Sequence, residues 1–237
     1  MHMSIHAAKI LENVARVRER IAQAAERVGR NPDEIELVAV SKYVDVQATA
    51  DLLAAGCPVL AESRPQQLWD KATDDKLAGA RWHLVGHLQR NKVRRTLPLV
   101  ELIHSVDSLR LATAINDAAK ERGQIARILL EVNCSGDAEK YGLTAEGART
   151  LLPQLANLSQ VQVCGLMTMA ARAGDDRVAA ANFAELRELR DALRNECPPN
   201  VVLNELSMGM SHDFEIAIAE GATLVRIGSI LFDGVPR

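Results

Sequence analysis

Lys42 closes a short run of strand-forming residues, Leu37-Val38-Ala39-Val40-Ser41-Lys42, at the point where a buried strand would reach solvent. An amine held there is shielded on one side and open on the other, which favours attack on a carbonyl carbon and formation of a Schiff base. Desolvation at such a mouth, with a cation such as Arg226 nearby, would lower the pKa of the amine and free its lone pair. A lysine ending a strand is otherwise an ordinary solvated charge. Two segments near the C-terminus favour the chemical reading. Val202-Leu203-Asn204-Glu205-Leu206 runs into Ser207-Met208-Gly209-Met210-Ser211, and Thr223-Leu224-Val225-Arg226-Ile227 runs into Gly228-Ser229.

Each segment reads as a strand, a small polar turn and the start of a helix. Such turns gather backbone N–H groups, a hydroxyl and the positive end of a helix around one point, an arrangement suited to a phosphate group. A carbonyl-seeking lysine beside a phosphate site points to pyridoxal 5′-phosphate (PLP) as cofactor.

The bulk properties narrow the alternatives. With 237 residues, 48% hydrophobic and 25% charged, the chain has the composition of a globular protein long enough to bury a full core. Net charge is −3, and the only basic run is Arg90, Lys92, Arg94 and Arg95, read as a solvated helix face, so no nucleic-acid partner is expected. Aromatic residues make up 3% of the chain, too few for a base-stacking surface. Cys57, Cys134, Cys164 and Cys197 form no CxxC pair, which argues against zinc and against a disulfide framework. The Met1-His2-Met3-Ser4 start runs straight into charged helical sequence, and no apolar run reaches membrane-spanning length. The expectation is a cytoplasmic protein with reduced thiols, no metal and no membrane partner.

The elements that must position Lys42 follow from patterning along the chain. Ile10, Val14, Val17, Ile21, Ala24 and Val28 have the three-and-four spacing of an amphipathic helix over about 5–29, stopped by Gly29 and Pro32. Strand candidates follow at Glu36 to Lys42, Pro58 to Glu62, Arg81 to Val85, Leu102 to Val106, Ala126 to Asn133, Gln162 to Met167, Val201 to Leu206 and Thr223 to Ile227, each followed by helical sequence. Asp45, Asp107 or Ser108, and Ser211 are expected to cap three of those helices, and Gly123 to end the fourth.

Eight such units without a linker indicate one α/β domain over 1–237: a (β/α)8 barrel over about 36–237, preceded by the added helix. An open doubly wound sheet is the alternative. The barrel is preferred because Lys42, Glu62, His83, Ser105, Asn133, Met167, Ser207 and Arg226 all fall at strand ends, the rim where barrels carry their sites. Alternation adds a check: an inward Lys42 brings Val40 and Val38 inward, an inward Arg226 brings Leu224, and Glu205 shares parity with Ser207 and needs a partner.

Several ordered motifs carry a family resemblance over almost the whole chain: Ala39-Val40-Ser41-Lys42, His83 to Lys92 (HLVGHLQRNK), His104-Ser105-Val106-Asp107, Gly165-Leu166-Met167-Thr168-Met169, Leu206 to Asp213 (LSMGMSHD) and Val225-Arg226-Ile227-Gly228-Ser229. They resemble the pyridoxal phosphate homeostasis family. The resemblance implies a single barrel similar to the N-terminal domain of alanine racemase, with Lys42 as the Schiff-base lysine and Ser207, Met208, Gly228 and Ser229 around the phosphate. It also implies Arg226 facing the pyridine nitrogen. Three departures stand out: Leu60-Ala61-Glu62-Ser63 in place of Phe-Gly-Glu-Asn, Ser229 in place of threonine, and a C-terminus reading Phe232-Asp233-Gly234-Val235-Pro236-Arg237.

The function implied is that of a monomeric carrier or buffer of PLP, with PLP-dependent apoenzymes as recipients and no catalytic residue of its own. The alternative is a PLP-dependent amino-acid racemase-like enzyme, which needs acid–base groups on both faces of the substrate α-carbon; Lys42 supplies one. A cofactor-free Schiff-base aldolase is a third reading, for which the two phosphate turns would require a sugar-phosphate substrate.

Overall fold

The computed structural model describes residues 4–137, 139, 141–171, 175–194 and 197–235. Pro236 and Arg237 of the divergent C-terminus, and the Met1-His2-Met3 start, lie outside them. Helix α1, Ile5–Arg27, is capped by the Ser4 hydroxyl, which accepts from the Ala7 amide at 3.1 Å, and it buries Ile10, Val14, Val17, Ile21 and Ala24 as one stripe. On the same face the Asn13 amide donates to the Leu231 and Asp233 carbonyls at 3.1 and 2.9 Å, tying the added helix to the end of the chain.

Eight parallel strands follow: β1 Glu36–Val40, β2 Val59–Glu62, β3 Arg81–Leu84, β4 Leu102–Val106, β5 Ala126–Glu131, β6 Val161–Met167, β7 Val201–Ser207 and β8 Leu224–Ile227. They pair in chain order and close into a barrel through β8 and β1, where Val38 stands opposite Arg226. Between them run α2 Val46–Ala54, α3 Pro65–Ala72, α4 Val93–Thr96, α5 Leu109–Arg122, α6 Ala145–Leu155, α7 Asp176–Leu193 and α8 Phe214–Ala219. Crossover helices cover the outside, so strands are apolar on both faces.

Three strands stop short of their expected ends, β3 by a single residue at Leu84. β1 ends at Val40 because the chain turns at once, Tyr43 taking a left-handed φ of 71°. β5 ends at Glu131, beyond which Val132 bridges to Leu143.

Parity sorts the core into two layers. Val38, Val40, Val59, Ala61, Leu102, Leu129, Met167 and Leu224 fill the barrel lumen, while Leu60, Leu84, Ile103, Val225 and Ile227 pack under the helices. The alternation expected for β1 and β8 therefore holds. Glu62 does not point to the lumen: it shares the face of Leu60 and sits, fully buried, under α3. Ser105 is likewise not a lumen residue; its hydroxyl donates to the Gly86 carbonyl at 2.7 Å, and His104 takes the lumen side beside Leu102. Glu205 finds its partner in Thr223, whose hydroxyl donates to it at 2.6 Å.

The caps follow the sequence in two of three cases. Asp45 accepts from the Ala48 amide at 2.8 Å, and Ser108 accepts from the Leu111 amide at 3.4 Å, with Gly123 left-handed at the far end of α5. Ser211 does not cap α8, which begins only at Phe214; its hydroxyl is turned toward Gly228 instead.

Candidate functional site

At the C-terminal ends of the strands lies a cavity of about 430 Å³, whose wall includes Lys42, Val85, Met169, Ser211, Arg226 and Ser229. Lys42 is exposed at its edge rather than desolvated, with Nζ 5.7 Å from the centre of the Tyr43 ring. Val40 and Met169 supply apolar wall. A larger, shallower depression of about 720 Å³ lies beside it, formed by His87 to Asn91 and the start of α5. No lysine lines it.

On the side of the cavity formed by β7 and β8, the Ser211 hydroxyl accepts from the Gly228 amide at 3.4 Å, and Ser229 follows. The backbone comes in close here: a Cβ on Gly228 would lie 3.2 Å from the Val40 carbonyl oxygen. Two hydroxyls and a glycine amide thus line this side of the cavity, a donor chemistry suited to a phosphate group.

Arg226 forms the inner wall. Its Nη1 donates to the Ser207 hydroxyl at 2.6 Å and its Nη2 to the Thr168 carbonyl at 2.9 Å. Burial lowers its pKa to about 10, while Asp213 and Glu131 pull it back up, so it remains a cation at neutral pH. Beyond Ser207 the contacts continue, with His104 Nδ1 2.9 Å from the Ser207 hydroxyl and His104 Nε2 3.0 Å from His83 Nδ1. His83 Nε2 ends this relay without a partner among the described residues. Burial holds both rings neutral, lowering the His83 pKa to about 3 and that of His104 well below its usual value.

Glu131 also faces the lumen. Burial, with Asp107 adding like-charge repulsion and Arg226 opposing, raises its pKa to about 7. Asn133 turns into its own loop, donating to the Asp137 carbonyl at 2.8 Å, and Cys134 is a buried thiol whose pKa is raised to about 11. Among the described residues no group of three or more His, Cys, Asp or Glu is placed to hold a metal ion. No described helix is long and apolar enough to cross a membrane.

Of the residues singled out in the sequence, Lys42, Arg226, Gly228 and Ser229 come together on one cavity wall. Ser207 and Met208 stand behind it. The Ser207 hydroxyl is engaged by Arg226 and His104, and Met208 is buried in the helix-side core. Ser211, expected from the sequence as a helix cap, lines the cavity in their place. His104 and Glu131 are not among the expected site residues, although each shares lumen parity with a leucine two positions earlier.

A closed parallel barrel whose mouth joins a lysine, a buried arginine and a hydroxyl-lined cup belongs to the class of barrels that hold a small phosphorylated carbonyl compound. Comparison with known proteins agrees. The family model for the alanine racemase N-terminal domain matches residues 5–236. Pyridoxal phosphate homeostasis proteins of Aquifex aeolicus and Pseudomonas aeruginosa are 41% and 36% identical, over 93% and 94% of this chain and 96% and 94% of theirs. The structure of PipY from Synechococcus elongatus PCC7942, with PLP bound, is 35% identical, with a TM-score of 0.83 over 94% of this chain and 99% of that one. Alanine racemase of Clostridium difficile shares the fold at 16% identity, with a TM-score of 0.73 over 94% of this chain and 56% of its own. The chain belongs to the alanine racemase N-terminal domain family and, within it, to the pyridoxal phosphate homeostasis proteins.

Proposed function

We propose that this protein holds PLP through a Schiff base to Lys42 and keeps and delivers it within the cytoplasm, without substantial turnover of its own. The observation that carries this reading is the meeting of Lys42, Arg226, Gly228 and Ser229 on one 430 Å³ cavity. When bound, PLP would supply an aldehyde for reversible attachment and a ring able to withdraw electrons. The Gly228 amide with the Ser211 and Ser229 hydroxyls would hold its phosphate. Val40 and Met169 would bound the ring, and Arg226 would face the ring nitrogen.

The last contact limits chemistry. Arginine has donors only and does not give up a proton at neutral pH, so a nitrogen facing Arg226 stays unprotonated and the ring withdraws electrons weakly. Ser207 and Thr168 fix the guanidinium in that role from behind. The exposure of Lys42 suits a carrier, because recipient PLP-dependent apoenzymes, or amines that exchange for the lysine, have access from solvent.

The test is incubation of the PLP-loaded protein with alanine in heavy water. Retention of bound cofactor with no sustained deuterium exchange at the α-carbon above a Lys42→Ala control is the expected result. Lys42-dependent exchange over many turnovers would make the protein an enzyme. Loss of PLP to an added apoenzyme, read as recovered activity of that enzyme, is expected from the loaded protein.

A further inference from the structure

Behind the mouth, on the helix side of the sheet, lies an ion pair that the cavity does not use. Lys71 of α3 places Nζ 2.6 Å from Glu62 Oε1 at the end of β2, with the two side chains 7% and 0% exposed. The same ammonium donates to the Ser41 carbonyl at 2.8 Å and lies 3.3 Å from the Ser41 hydroxyl. The Ser41 hydroxyl donates to Glu62 Oε1 at 3.0 Å, and the Ser63 amide donates to Glu62 Oε2 at 3.2 Å. Two charges thus join the end of β1, the end of β2 and the body of α3.

Ser41 immediately precedes Lys42, and every polar group it owns is held. Its amide donates to the Ala61 carbonyl at 2.9 Å, and its carbonyl receives the Val44 amide at 3.3 Å besides the ammonium. The next residue but one, Tyr43, adopts a left-handed φ of 71° although it carries a side chain. Such a turn persists only where its surroundings hold it. Among the described residues, the side-chain donor that holds the Ser41 carbonyl at the head of this turn is the Lys71 ammonium.

Stability alone does not account for the pair. Taking two charges out of water is costly, and apolar residues of similar volume in such places are often neutral or stabilising. An apolar pair could not, however, hold a carbonyl oxygen. We propose that Glu62 and Lys71 are positioning residues for Lys42, fixing Ser41 so that the lysine leaves β1 toward the cavity, while Lys71, its own donors saturated, is withdrawn from reaction with an aldehyde. This inference rests on Lys42 being the attachment point of PLP.

The test uses the full chain with both charges replaced, Glu62→Leu/Lys71→Met, beside the single Lys71→Met variant, which leaves a buried carboxylate unpaired and is expected to lose stability. The double variant, free of an unpaired buried charge, should melt closer to the wild type than the single variant does. Even so, the covalent adduct with PLP, followed by its visible absorption and trapped with borohydride, should form at least tenfold more slowly. Without any cofactor, hydrogen–deuterium exchange of the peptide spanning residues 40–46 should be faster in the double variant while other strand ends keep their protection. Wild-type loading together with wild-type exchange in the double variant would overturn the proposal. If the wild type takes up no PLP on Lys42 yet exchange still rises in the double variant, the function proposed above fails and the positioning of Lys42 stands.

Discussion

Lys42 and Lys71 flank the end of the same strand and have opposite fates. Lys42 stands exposed at a cavity with no hydrogen-bond acceptor for Nζ among the described residues, whereas Lys71 is buried and meets three oxygens. The difference is one of sheet face: the first follows the lumen parity of Val38 and Val40, the second reaches the strand end from a helix. The polar groups around them divide in the same way. On the helix side the charges are mutually saturated. On the lumen side Arg226, Ser207, His104 and His83 form a relay that ends in a nitrogen unpartnered among the described residues, and Glu131 carries a raised pKa. The closed barrel thus keeps these two sets of polar groups on opposite faces of the sheet.

The largest effect expected on this comparison is at Lys42 itself. Lys42→Ala should abolish covalent retention of PLP while leaving the fold intact, as read by intact mass after borohydride reduction and by thermal melting. Weak non-covalent binding through the phosphate cup should persist.

Acid should weaken the lumen side. The folded-state pKa of His83 is lowered to about 3 and His104 shifts in the same direction, so the unfolded chain binds their protons first. The stability they confer is complete above about 6.5 and is lost as pH falls toward 3, by as much as about 5 kcal/mol for His83 over the whole span. Denaturant titrations across this range should show that loss, and His83→Asn should flatten part of it.

The phosphate cup comes next. Ser211→Ala with Ser229→Ala should weaken retention of PLP far more than of pyridoxal, since each hydrogen bond to a charged group contributes roughly 1.5–3 kcal/mol, about tenfold or more. Equal losses for the two ligands in equilibrium dialysis would show that these turns do not hold phosphate.

A smaller effect of opposite sign belongs to Glu131. Its raised folded-state pKa, about 7, means the folded chain keeps a proton that the unfolded chain has lost. Its contribution to stability is therefore greatest below about 4.5 and falls as pH rises through 7, by about 3 kcal/mol in all. Glu131→Gln should remove that decline, sharpening the histidine-driven rise that remains.

Much of the architecture is legible in the amino-acid sequence alone. Eight alternating units, the Asp45 and Ser108 caps and the Gly123 stop depend on local chemistry, and the lumen parity of Lys42, Val40 and Val38 follows from one anchored residue. Without such an anchor parity is not assigned: Glu62 and Ser105 fall at strand ends as expected but point away from the lumen, while His104 and Glu131 face it. Strands of a barrel are apolar on both faces, so alternation of hydrophobicity does not say which side is the lumen. Ser211 reads as a cap because its turn looks like a helix start, yet α8 begins three residues later. The Lys71–Glu62 pair joins positions nine apart across a strand and a helix, a contact that only the tertiary fold creates.

Attachment of PLP at Lys42 is tested by incubating the wild-type protein with PLP, reducing with borohydride and mapping the modified peptide. The expected result is a single phosphopyridoxyl adduct on Lys42, with Lys71 unmodified. An adduct on Lys71 or on another lysine, with Lys42 left free, would contradict it.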